Sequence, residues 1–364
     1  MVNEAIRISI ENNITSKLRL RNELYPRFKN GFHTSYISMA VFKAHALLKS
    51  YRKSLRKNQQ TRRPYVWKNF LVVDSHYYKI NHKQIQIPTR PREFLIVQFN
   101  HYTSRVLSEF GLKFGNVTLT PKTISISYSK EIVTQRPTGY IGIDMNLENA
   151  TCIDDVGKIT IIDMSKMVSM KEKYRRVLSH FKRNDSRIQR QLKRKYGKKQ
   201  KNREDTFLHQ RSSEITSTRN RIVMENLTGI RKMYRKGNGQ GAKFRFRLNS
   251  WSRFKLQKMI DYKSQWHNGY GVIFVKPNGT SSKCATCGSK LVPEEHRMMR
   301  CKTCQIITDR DINASKNILA RGLTMLKQTE SVRFEPDAVQ GEAMKQFKDV
   351  VVDCTESACG AATG

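Results

Sequence analysis

Apolar and polar positions follow more than one rhythm along this chain. From about Asn12 to Arg63 the spacing is mostly helical, and Ile37, Val41, Ala44 and Leu48 recur every three to four residues as one apolar stripe. Pro26 and Gly31 interrupt this stretch, which predicts two helices in it. From Tyr65 to about Val133 the period shortens to two. The segments FLVVDSHYYKI, QIQIPT, EFLIVQF and NVTLTPKTISISYSK alternate apolar with polar residues and are rich in Val, Ile, Tyr and Thr. Short strands at this spacing predict a small β-barrel or sandwich. Gln135 to Gly139 then punctuates the chain.

Gly139 to Asp163 reads as three strands joined by turns at 146–149 and 155–158, an antiparallel meander. Ser165 to Thr216 reads as one or two basic helices with a thin stripe of Leu178, Phe181, Ile188 and Leu192. Its part from Lys193 to Arg203 fits a helix and an unstructured basic linker equally well. Asn220 to Leu227 is a short apolar strand carrying Glu225. The glycines of RKMYRKGNGQGAKFRFR predict a loop, without a Walker pattern. A helix from Asn249 to His267 and a strand from Gly271 to Val275 follow. After Lys327 the chain turns acidic and patternless. The expected organisation is a helical segment (1–64), a β-barrel (65–136), an α/β domain (137–325) with an insertion at 278–307, and a tail (326–364).

Charge narrows the class of partner. The 364 residues hold 68 Lys and Arg against 30 Asp and Glu, a formal net charge of +38. An excess of this size repels itself unless a polyanion neutralises it, and nucleic acid is the expected one. Between Lys171 and Glu204 alone there are fifteen basic and three acidic residues. No stretch is long and apolar enough to predict a membrane span. Seven cysteines without an export signal predict a reducing compartment, the cytoplasm, and metal ligation in place of disulfides.

Four of those cysteines form two Cys-x-x-Cys pairs, Cys284/Cys287 and Cys301/Cys304, 13 residues apart. Two such loops bring four thiolates to tetrahedral corners, a closed structural zinc site, with an iron–sulfur cluster as the other option. Lys283, Lys290, Arg297, Arg300 and Lys302 crowd this knuckle and suit a nucleic-acid contact.

Three acids stand out by context. Asp144 lies inside the apolar strand YIGID, Glu225 ends the apolar strand IVME, and Asp311 opens the helix DINASKNILA. Acids in buried strands are costly unless paired or bound to a cation, so three on separate elements predict a shared divalent site, with magnesium the natural ion for carboxylates. Taken singly, Asp144 suits a turn, Glu225 a surface position and Asp311 a helix cap. A meander carrying the first acid, a crossover to a strand with the second, and a helix with the third form the layout of an α/β RNase H-like nuclease.

At this point GIDMNLENAT, IVMENLTGI, TSSKCATCG, CKTC and DRDINASKNIL resemble the three RuvC motifs and inserted zinc knuckle of the TnpB family. These proteins are encoded by insertion sequences and related to type V CRISPR effector nucleases. The resemblance runs from about Gly139 to Leu319. It implies an RNA-guided DNA endonuclease that takes a transposon-derived guide RNA and double-stranded target DNA as partners. It assigns Asp144, Glu225 and Asp311 as magnesium-binding catalytic acids, and Cys284, Cys287, Cys301 and Cys304 as zinc ligands. It also casts the N-terminal helices as a recognition segment and the following strands as a wedge. One departure is Gly-Ile-Asp-Met-Asn where Gly-Ile-Asp-x-Gly is frequent. A non-catalytic guided DNA-binding regulator would share the charge and the zinc without needing the acids. An RNase H-like DNA strand transferase would want a DNA-end-binding module, for which there is no helix-turn-helix signal.

Overall fold

The computed structural model describes all residues except 58, 135, 181–185, 231–236, 238, 333–343, 354–358 and 362–364. The chain divides into two compact units, residues 1–131 with 345–364, and residues 132–344.

The first unit begins with helices α1 (Val2–Glu11), α2 (Lys17–Phe28) and α3 (Thr34–Arg56). The last two are the pair that the pattern predicts, separated at Gly31. Pro26 lies inside the final turn of α2, where it cannot give Asn22 O a main-chain hydrogen bond, and the helix ends two residues later. Helix α1 precedes the predicted stretch. Ile37, Val41, Ala44 and Leu48 are all buried, packed with Ile6, Leu20 and Leu24. Each large aliphatic side chain so withdrawn from water contributes about 1.5–3 kcal/mol.

Strands β1 (Leu71–Val73), β2 (Lys79–Ile80), β3 (Gln84–Arg90) and β4 (Glu93–Gln98) follow. A short helix, α4 (His101–Leu107), interrupts them before β5 (Leu112–Leu119) and β6 (Thr123–Ile132). The alternation holds: Ile85, Ile87, Val97, Val117, Ile124 and Ile126 point inward. Among the described residues these strands form two sheets, β1-β5-β6 and β4-β3-β2, in the stretch where a small β-barrel or sandwich is expected. Helix α4 has no alternating signal, and Asn100 starts it by accepting from Thr103 N at 2.8 Å.

The second unit opens with the predicted meander, β7 (Tyr140–Met145), β8 (Asn149–Asp154) and β9 (Ile159–Asp163). Two helices, α5 (Ser165–His180) and α6 (Ser186–Ile215), carry the chain to β10 (Arg221–Glu225). The segment from Lys193 to Arg203 lies within α6. The predicted stripe does not form the buried face: Leu178 and Leu192 are half-buried, Ile188 is exposed and Phe181 lies outside the described residues. Met167, Val168, Tyr174 and Leu208 are buried instead. Helices α7 (Ala242–Ser250) and α8 (Arg253–Asn268) and strand β11 (Ile273–Val275) come next. Thus the second half of the predicted glycine-rich loop is helical, while 231–236 and 238 lie outside the described residues, as does Gln135 at the expected boundary. A small sheet of β12 (Leu291–Pro293), β13 (Met298–Cys301) and β14 (Ile307–Asp309) leads into the long helix α9 (Arg310–Val332).

The main sheet has the order β11-β10-β7-β8-β9, with β10 parallel to both β7 and β11. A parallel neighbour needs a crossover, here supplied by α5 and α6. One core joins Ile143, Ile222 and Met224 of the sheet to Leu208, Ile215, Leu256 and Ile260 of α6 and α8. Another joins Ile153, Val223 and Val275 to Ile318 and Leu319 of α9. Helix α9 sits so close to β7 that a Cβ on Gly142 would stand 2.4 Å from Ser315 O and 2.8 Å from Leu319 N. Both are main-chain atoms and cannot turn aside. Gly142→Ala is therefore expected to cost about 2 kcal/mol through overpacking, read as a lower denaturation midpoint. An unchanged midpoint would mean that this contact is looser than described.

The patternless tail supplies two more strands. β15 (Met344–Asp353) extends the β1-β5-β6 sheet, and β16 (Cys359–Ala361) pairs with β4.

Candidate active site

The register Met224↔Ile143 sets Glu225 and Asp144 side by side at the C-terminal ends of neighbouring parallel strands. Open α/β sheets present their ligand sites at such ends. Asp311 arrives from the first turn of α9. Ser315, one turn later, ties that helix to the meander by donating to Thr151 O at 2.8 Å. Asp144 is 8% and Asp311 5% exposed. Asp309 is the residue that caps α9, accepting from Asp311 N at 2.8 Å and Ile312 N at 3.1 Å, so the Asp311 carboxylate is not used as a cap.

The electrostatics register the gathering of these acids. Burial pushes the Asp144 carboxyl up to about 7, and the charges of Glu225 and Asp311 push the same way. Asn146 opposes this by donating to Asp144 Oδ2 at 3.0 Å, which gives a physical reason for the departure from glycine at that position. Burial also raises Glu225 above the ordinary carboxylate range, against a hydrogen bond from Thr280 Oγ1 and the charge of Arg321. Arg297 pairs with both oxygens of Asp311, and that bond raises its own pKa. The sequence marks Arg297 only as one of five cations around the knuckle. Neither its aim at Asp311 nor that of Thr280 at Glu225 has a sequence signal.

Both of these residues belong to the knuckle. Thr280 stands at its root and Arg297 between β12 and β13. Asn313 and Asn317 of α9 fasten the root further, each donating to Lys283 O at 2.8 Å. The Sγ atoms of Cys284, Cys287, Cys301 and Cys304 all lie within 4.8 Å of one another. Cys284 and Cys301 are buried and Cys287 is exposed. Hydrogen bonding from Ser289 and then Cys304 lowers the Cys287 thiol, while donation to Cys287 raises Cys304. Four sulfurs at this spacing suit a tetrahedral zinc ion.

Among the described residues that is the one group of three or more Cys, His or acidic side chains gathered so tightly. The three carboxylates spread wider, Glu225 drawn to Thr280 and Asp311 to Arg297. Their donor set consists of hard carboxylate oxygens, and two of the residues are buried. That chemistry fits magnesium better than a soft metal.

Among the described residues no helix is long and apolar enough to cross a membrane. Residues 252–318 match the family model described as Cas12f1-like, TNB domain, and residues 1–88 match the uncharacterized protein MJ0013 family. The chain is 33% identical over 101 residues to the CRISPR-associated endodeoxyribonuclease Cas12f1 of Sulfoacidibacillus thermotolerans, covering 27% of this chain and 21% of that protein. A putative RNA-guided DNA endonuclease of Streptomyces pristinaespiralis is 30% identical over 129 residues, 35% of this chain and 30% of that one. A solved Cas12f1–sgRNA–target DNA complex aligns over 87% of this chain and 92% of its own at 15% identity, with a TM-score of 0.39. The TnpB-like protein MJ0751 of Methanocaldococcus jannaschii is 30% identical over 268 residues, 67% of this chain and 92% of that protein. With that extent of shared sequence, the chain belongs to the TnpB-like family.

Proposed function

We propose that this chain is an RNA-guided DNA endonuclease of the TnpB type that cuts through an RNase H-like (RuvC) domain. The observation that carries the reading is the parallel pair β7–β10, which brings Asp144 and Glu225 to adjacent strand ends beneath the first turn of α9 with Asp311. The sheet order β11-β10-β7-β8-β9 supports the RNase H-like assignment.

Asp144, Glu225 and Asp311 would hold two magnesium ions, which when bound activate water and stabilise the leaving oxygen in phosphodiester hydrolysis. The chain's own residues prepare the site. The strand ends fix two carboxylates on a rigid sheet. Asn146 occupies Asp144 Oδ2 and orients that group. Thr280 does the same for Glu225. Arg297 sets a guanidinium at the edge of the cluster, where it can hold a phosphate oxygen. The basic faces of α5 and α6 neutralise nucleic-acid phosphates, and base pairing with the guide supplies sequence choice. Zinc at the four cysteines would be structural.

The test is to purify the protein from cells carrying its native locus, sequence the RNA that accompanies it, and use that RNA in a cleavage assay with and without magnesium. One dominant RNA with a constant scaffold, and magnesium-dependent cutting of matching DNA, is the expected result. Random RNA fragments and no cutting would overturn the proposal.

A further inference from the structure

Residues 24–73 contain eleven Lys and Arg and no Asp or Glu. Within this acid-free run, two aromatic rings face water. Trp67 is 87% and Tyr65 58% exposed. They meet edge-on with ring centroids 4.7 Å apart. The segment that carries them belongs to no strand. A side chain from the start of the chain holds it: Asn3 Nδ2 donates to Val66 O at 2.9 Å, and Val66 N donates to Asn3 Oδ1 at 2.8 Å. Asn3 thus satisfies both main-chain groups of the residue between the two rings, as a neighbouring strand would. Val66 is half-buried while Tyr65 and Trp67 on either side of it are exposed, so fixing Val66 leaves both rings toward water.

Two features identify what the rings are for. The first is their neighbours. Arg62, Arg63 and Lys68 flank them and are exposed, so the aromatic surface is bracketed by cations. The second is a cavity of about 490 Å³ that Val66 and Lys68 of this segment help to line, together with Asn3 and mostly apolar residues such as Met39, Leu71 and Leu119. An apolar protein partner has no use for three cations around two rings. A single-stranded nucleic acid uses both, since every base has a π-face to stack and every nucleotide a phosphate to neutralise. A duplex offers phosphates but keeps its bases stacked on one another.

We propose that Tyr65 and Trp67 form a stacking platform for an unpaired base of a single-stranded nucleic acid, with Arg62, Arg63 and Lys68 holding the adjoining phosphates. The platform rests on the nucleic-acid partner of the proposed function but not on the carboxylates. The cavity beside it is the size of a nucleotide subsite and gives the stacked residue's sugar or neighbouring base a place to lie.

Full-length protein is titrated with a 12-nucleotide oligouridine, with oligothymidine of equal length, and with a blunt RNA hairpin closed by a polyethylene glycol linker so that it has no unpaired bases, following tryptophan fluorescence and anisotropy at two salt concentrations. Trp67 is largely exposed, so its replacement leaves the fold intact, which a thermal melt confirms. Trp67→Ala is expected to weaken oligouridine binding by about tenfold and to remove most of the fluorescence quenching. Trp67→Phe retains binding within about threefold, because a ring remains. Hairpin binding is the same for all three proteins. The double variant Arg62→Ala/Arg63→Ala flattens the salt dependence by about two phosphate contacts. Tighter binding of oligouridine than of oligothymidine assigns the platform to RNA, and the reverse assigns it to a DNA strand. Equal oligonucleotide affinity of wild type and Trp67→Ala overturns the proposal. So does equal weakening of hairpin and single strand. None of these readings involves cleavage, so the platform and the nuclease assignment can fail separately.

Discussion

Asp144→Asn is expected to abolish DNA cleavage and, at the same time, to make the metal-free protein more stable. An ordinary aspartate ionises near 3.8, whereas the folded chain holds the Asp144 proton up to about 7. Across that window the unfolded chain has released a proton that the folded chain retains. Stability therefore falls as pH rises from about 4 to 7 and stays low above it. A shift of this size corresponds to at most about 4 kcal/mol. Asparagine has nearly the same shape and carries no charge. With some relaxation of the site, it is expected to recover about 2 kcal/mol at pH 8, seen as a melting temperature higher by about 5 °C in chelator. At pH 4 the gain vanishes, because the wild-type group is then neutral too. Magnesium is expected to raise the wild-type melting temperature and to leave the variant largely unmoved. Cleavage of matching DNA should drop at least about 10³-fold, while binding of the co-purified RNA persists. Thermal melts at the two pH values, with and without magnesium, and a plasmid-cutting assay test each part. A variant that cuts normally, or whose stability gain is independent of pH, would refute the assignment of this residue.

The second large effect belongs to the knuckle. Cys301 is fully buried at the end of β13. Cys301→Ser is expected to lower bound zinc from about one ion per chain to near zero, measured by atomic emission after dialysis against chelator, because a closed four-thiolate site depends on all four ligands. The loss should travel. Thr280 and Arg297 hold Glu225 and Asp311 from the root and loop of the knuckle. With the knuckle unfolded, both carboxylates lose those contacts, and cleavage should fall at least about 10²-fold, as expected when positioned groups are released. Proteolysis should become rapid within 280–309 and remain slow in 1–131. Full cleavage by a zinc-free variant would show that the knuckle does not support the acids.

What could be read from the chain alone followed from how locally each signal is written. The stripe of Ile37, Val41, Ala44 and Leu48 and the meander at 140–163 are periodic, so period alone located them. The two cysteine pairs carry a metal's geometry in their spacing. Asp144 and Glu225 stood out because an acid in an apolar strand needs a reason. Other features lack a local cause. Strands β15 and β16 exist through pairing with strands more than 200 residues earlier. Arg297 looked like its four basic neighbours, since nothing in a sequence says which guanidinium a β-turn will aim at a carboxylate. Asn146 falls between these cases: its oddity was visible, and its hydrogen bond to Asp144 explains it.

The split of the carboxylates between β7 and α9 has a consequence for how the protein is born. Asp311 is 167 residues downstream of Asp144. On a ribosome adding about 5–20 residues per second, the first acid waits roughly 10–30 s for the third. Over the last 96 residues of that interval, from Ile215 to Asp311, the basic helices α5 and α6 are already made while the cluster of acids is incomplete. If the chain works as proposed, this order of synthesis would let a nascent chain take up nucleic acid before its three acids are together.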